Sequence, residues 1–138
     1  MALEQLFGKI DDTEHVYTWD YTVQESARAL YDVNDEFFAL ITDRREIDDE
    51  TGAMGDYRDN SGYCGYLFLK SDPKPVQAIP HGTRNNPEVL HYGEESPLID
   101  AIKSKTDTTD IRRVEEITLD LGRVYISEGN LLLDRNQA

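Results

Sequence analysis

Cysteine is almost missing from this chain: Cys64 is the only one in 138 residues. A lone cysteine closes no internal disulfide, and without a CxxC pair or Cys/His cluster the ligand spacing of a structural zinc is absent. Long apolar runs are missing too. No stretch approaches the ~20 residues that span a bilayer as a helix. The opening MALEQLFGKIDD has neither the basic start nor the continuous apolar core of a signal peptide. Positive charge is scarce, with 14 Lys and Arg against 28 Asp and Glu and a net charge of −14. Nucleic-acid binding draws most of its affinity from Lys and Arg on phosphates, so direct binding of nucleic acid is not expected. No GxGxxG, P-loop or GxSxG string occurs. These absences leave a protein without membrane or nucleic-acid contacts, placed in the cytoplasm or within an intracellularly assembled particle.

What is present is acid, unevenly spread. Residues 1–60 carry 16 Asp and Glu against 5 Lys and Arg, and residues 61–138 carry 12 against 9. Such a surface suits a basic protein partner, because complementary charge speeds association and sharpens selectivity. Acid excess also serves solubility and suits a salt-adapted organism. The length fits one domain, 1–138, large enough to bury roughly two-thirds of its unfolded surface.

Read in order, Leu3, Leu6, Phe7 and Ile10 fall at helical spacing and predict a short helix over 2–10. Tyr17, Trp19 and Tyr21 alternate with Thr18 and Asp20, a strand signature. Thr22 and Glu25 form a T-x-x-E capping box. Val23, Ala27, Leu30, Tyr31, Phe37, Phe38 and Ile41 then recur at three and four, predicting a long amphipathic helix at about 23–42. A polar stretch at 43–62 reads as a long acidic loop, and loops beyond ~12–15 residues are usually functional or disordered. CGYLFLK and PVQAIPH read as strands broken by Pro73 and Pro75, with EVLHY a possible third. Ser96-Pro97 opens a short helix at about 96–104. Ile117, Leu119 and Leu121, then Val124 and Ile126, alternate as strands, and Glu128-Gly129-Asn130 reads as a hairpin turn into LLLD. The expected fold is α+β: a mainly antiparallel sheet with the long helix packed on one face and the short helix beside it.

Two strings resemble known families. MGDYRDNSG, Met54 to Gly62, is similar to the M-G-D-N-R-D-N-S box of bacterial-type signal peptidases. That family places its nucleophile in an S-M-x-P-T box and its base on a later lysine. Neither box occurs upstream, Lys9 is the only lysine before Met54, and Tyr63, Cys64 and Gly65 stand where D-S-R would follow. Ser/Lys chemistry lacks its parts, so the string reads as turn chemistry of Gly, Asp and Asn. HGT, His81 to Thr83, resembles the H-G-T of poly-ADP-ribose polymerase-like transferases. That resemblance implies a grip on a nicotinamide dinucleotide, with Tyr92 or Tyr125 as the aromatic and Glu128 as the acid. His81, Glu88 and His91 are metal-capable residue types at loose spacing. The calcium pattern DxDxDG fails at Arg58. Cys64, beside an apolar strand, reads as a small buried hydrophobe.

The sequence therefore points to a non-enzymatic acidic interaction module that binds a basic protein, in the manner of an inhibitor, immunity or anti-defence protein. Asp43, Glu46, Asp48, Asp49, Glu50, Asp56 and Asp59 are the expected contacts, with no catalytic residue, metal or cofactor. One alternative is a structural subunit of a viral or phage assembly, contacting neighbouring subunits. Another is a small enzyme or nucleotide binder centred on His81-Gly82-Thr83.

Overall fold

A computed structural model describes residues 2–8, 10–16, 19–47, 62–79 and 95–136. In chain order its elements are β1 (Ala2–Phe7), β2 (Ile10–Val16), β3 (Trp19–Asp32), β4 (Phe37–Ile47), β5 (Gly62–Leu69), β6 (Pro75–Ile79), α1 (Ser96–Thr106), β7 (Arg112–Val114), β8 (Glu116–Leu119), β9 (Gly122–Ser127) and β10 (Asn130–Arg135). The strands form two antiparallel sheets. The smaller runs β1-β10-β9-β8, and the larger runs β2-β3-β4-β5-β6 with β7 also on β3.

The expected long helix is instead the β3–β4 hairpin. Tyr31 pairs with Ala39 and Asp32 with Phe38, and residues 33–36 make the turn. The Asn34 carboxamide oxygen accepts the N–H of Glu36 at 2.8 Å and of Phe37 at 2.9 Å, an Asx-type cap that a turn favours over a helix interior. Two features counterfeit the helical period. A bulge between Ala27 and Ala29 shifts the register, so Ala27 and Leu30, three apart, share one core. Both faces of the hairpin are also buried, which fills the positions that strand alternation would leave polar. The T-x-x-E box is not a cap either, since Thr22 pairs with Ile47 and Glu25 with Arg44.

The helix expected over 2–10 is likewise replaced by strand. β1 pairs antiparallel with β10, and a register shift between Gln5 and Phe7 interrupts its alternation. Cross-strand pairs hold it: Arg135 Nε donates to Glu4 at 2.8 Å and Gln5 to Asn130 at 2.9 Å. The polar stretch from 43 begins as structure, since β4 continues through Ile47 and β5 starts at Gly62. α1 is the single helix among the described residues, where a short helix is expected at about 96–104, so the fold is mostly β-sheet rather than an α+β sheet carrying a long helix. It has Pro97 in its first turn, Lys103 and Lys105 in its last, and a left-handed Asp107 at its end. No described helix is long and apolar enough to cross a membrane.

The layers follow from the two faces of the larger sheet. One face presents Ala27, Leu30, Phe38, Leu40 and Phe68 to Ile117, Leu119, Val124, Leu131 and Leu133 of the smaller sheet. The other presents Ala29, Val33, Ala39, Ile41, Tyr63 and Leu67 to Leu98 and Ile102 of α1. Each large side chain so buried is worth roughly 1.5–3 kcal/mol of transfer free energy. The β9–β10 turn joins the sheets: Glu128 (φ 53°) and Gly129 (φ 80°) are both left-handed, as a type I′ hairpin requires. That turn lets Gly129 O accept the Ala27 N–H at 2.8 Å.

Candidate functional site

Of the expected contact residues, Asp43 and Glu46 lie on β4, opposite Ser26 and Val23 of β3. Asp48, Asp49, Glu50, Asp56 and Asp59 lie outside the described residues, as do His81, Thr83, Glu88, His91 and Tyr92. The two described members of the nucleotide-binder reading belong to the smaller sheet. Tyr125 lies on β9 beneath the Arg123 guanidinium, 4.7 Å from its ring centre, and Glu128 occupies the tight β9–β10 turn.

The strand register gathers acidic segments that are distant in sequence. β3 lies between β2 and β4. Asp12, Val23 and Glu46 occupy one cross-strand row, and Asp11, Gln24 and Arg45 the next. Glu14 pairs with Tyr21 and His15 with Asp20. The connection to β5 leaves from Ile47, opposite Thr22, at this same end of the sheet. Residues 10–25 and 43–61 together hold twelve Asp and Glu against three Arg, a net −9 of the chain's −14. Tyr21 to Gln24 of β3 are uncharged and separate the acidic flanks by two strand spacings, roughly 10 Å. That exceeds the Debye length of about 8 Å at physiological salt, so repulsion between the flanks is largely screened.

Where this acidic end meets the packed core stands a buried carboxylate. Glu25 is 3 % exposed. Its Oε2 accepts the Thr42 hydroxyl at 2.7 Å and the Tyr66 hydroxyl at 2.8 Å, and its Oε1 lies 3.6 Å from the Arg44 guanidinium. Adjacent strands place these groups together, as Arg44 pairs with Glu25 and Leu40 with Tyr66. A buried charge persists only when paired and hydrogen-bonded, and both oxygens are engaged here. Burial, then the charge of Glu25 and the hydrogen bond to it, push the Tyr66 hydroxyl well above its ordinary value. The phenol therefore stays protonated and donating. Phe7 covers it, ring centres 5.7 Å apart.

Each of these side chains serves the carboxylate, which makes the cluster a polar anchor between β3, β4 and β5. Cys64, on the neighbouring strand, is buried. Among the described residues no group of three His, Cys, Asp or Glu side chains could hold a metal ion. The sequence hides the anchor because Thr22 and Glu25 match the T-x-x-E pattern of a helix capping box. The available signal was a Glu two residues before a buried Ala in what is a strand, a position that demands a partner. No protein-family model, curated protein or solved structure matches this chain.

Proposed function

We propose that this chain is a non-enzymatic interaction module that binds a basic protein through the acidic end of its larger sheet. One observation supports the reading: the register lays the acidic β2 strand and the end of β4, from which the acidic segment 48–61 departs, on either side of β3. The contacts are Asp43, Glu46, Asp48, Asp49, Glu50, Asp56 and Asp59, to which the register adds Asp11, Asp12 and Glu14. An acidic field of this density steers a cationic partner and raises its encounter rate. The Glu25 anchor fixes the base from which the acidic strands extend.

A decalysine peptide, titrated into the amide-labelled chain at low and moderate salt, tests this. Shifts should concentrate in 10–25 and 43–61, and affinity should fall at least tenfold as salt rises. Asp48→Asn, Asp49→Asn and Glu50→Gln together should weaken binding. Affinity indifferent to salt, or unchanged by that triple substitution, contradicts the proposal.

A further inference from the structure

A second carboxylate stands at the start of α1. Glu95 occupies the N-cap position, yet its side chain makes no hydrogen bond to the N–H groups of its own helix. The carboxylate turns to the sheet instead. Its Oε1 accepts the Tyr31 hydroxyl at 2.7 Å. Its Oε2 lies 3.5 Å from Arg28 Nε and 3.8 Å from Arg113 Nη1. Arg28 and Tyr31 belong to β3 and Arg113 to β7, where Arg113 pairs with Tyr31.

Glu95 and Arg113 bracket one excursion of the chain, α1 followed by β7. A single carboxylate thus draws both ends of that excursion onto β3. Between the ends, Leu98 and Ile102 are the buried side chains of α1. Ile99, Ala101 and Ile111 pack partly against the same cluster, and Asn34 Nδ2 donates to Thr108 Oγ1 at 2.9 Å. α1 has eleven residues, and isolated helices shorter than ~12–15 residues are marginal in water. β7 has three residues, two of them exposed. Each element therefore keeps its place through the sheet. The β3–β4 hairpin, by contrast, is buried on both faces. Segments with few buried apolar side chains open at lower free energy than such a core.

We propose that Glu95–Val114 is a cover on the larger sheet, and that the Glu95 carboxylate is the clasp that shuts it. α1 and β7 leave β3 together, in one opening smaller than global unfolding. That opening bares Ala29, Val33, Ala39, Ile41 and Leu67, the apolar face that Leu98 and Ile102 cover. Three donors share one carboxylate, which couples the two elements. Its loss frees α1 from β3 and β7 from α1 at once. The cover works whether or not the acidic end binds a cation.

Native-state hydrogen exchange on the full chain at low denaturant tests this. Amides of 99–103 and 112–114 should share one opening free energy and one denaturant slope, both below those of 38–41 in β4. Glu95→Gln removes the charge that both arginines face and should speed exchange in both segments by one shared factor of at least three. Glu95→Ala also removes the acceptor of Tyr31 and should exceed it. Arg113→Gln, where the side chain is 57 % exposed, breaks the clasp from the β7 side. It should speed both segments as well, and is the second variant should the Glu95 variants unfold. Ile117→Val, between the two sheets, should speed 38–41 at least twofold and leave the cover unchanged, because its contacts persist when the cover opens. Different factors for 99–103 and 112–114, no change in a folded clasp variant, or a cover that answers to Ile117→Val overturns the proposal.

Discussion

The smaller sheet buries one face and the larger sheet buries two. On β8 exposed and buried residues alternate strictly from Glu116 to Leu119, and Thr118 and Arg123 face solvent. On β4, by contrast, Phe38, Ala39, Leu40, Ile41 and Thr42 are all wholly buried, with odd and even positions alike at 0 %. The difference teaches where stability and polar chemistry reside. A sheet clad on both sides has no water to receive a charge, so its carboxylate must be satisfied internally, as Glu25 is. It also has two faces through which a substitution can be felt.

The comparison breaks first at its centre. Phe38→Ala removes a ring stacked on Phe68 with centres 5.0 Å apart, between the two sheets, and should cost ~4 kcal/mol in urea unfolding. Glu25→Ala removes the acceptor of two hydroxyls and an ion-pair contact of Arg44, at a cost of about 3 kcal/mol. Glu25→Gln should cost less, since it keeps an acceptor. Leu98→Ala probes the helix-clad face and should cost about 2–3 kcal/mol. A cost below about 0.5 kcal/mol there would mean that α1 does not clad the sheet. Thr118→Ala, on the wet face of the smaller sheet, should change stability by no more than about 0.5 kcal/mol.

Alkaline pH sharpens the contrast between the two carboxylate clusters. Burial, then the hydrogen bond to Glu95 and its charge, push Tyr31 up to about 12, and Tyr66 is raised further by the same causes against Glu25. An unfolded tyrosine titrates near 10. Above that pH the unfolded chain binds fewer protons than the native one, so stability falls as pH rises. The contribution is complete below about pH 10 and is lost for Tyr31 as pH climbs to about 12. Tyr66→Phe and Tyr31→Phe should each flatten the decline of the urea midpoint above pH ~10, Tyr66→Phe more. Equal slopes in variant and parent would contradict this.

Legibility in the sequence followed the same division. The β8–β10 region announces itself through period-two apolar residues and a Glu128-Gly129 turn, because one wet face preserves alternation. Ser96-Pro97 likewise marks the start of α1. The larger sheet hides. FFALIT is apolar throughout because both faces are covered, and the Ala27–Ala29 bulge inserts a spacing of three that mimics a helix. Asn34, whose side chain caps the 33–36 turn, is a local feature that disfavours that helix. Tyr31 and Arg113 could not have been joined from sequence, since β7 reaches β3 across some eighty residues of chain.

The central claim is that β3 lies between β2 and β4, which both makes the doubly clad sheet and gathers the acid at one end. Cross-strand nuclear Overhauser contacts on the labelled chain test it directly. The account predicts contacts from Asp12 to Val23, Val23 to Glu46 and Leu30 to Leu40, with strand-type shifts on both sides of a break at 33–36. Helical shifts running unbroken through 23–42, with contacts between residues three apart across Asp35, would contradict it.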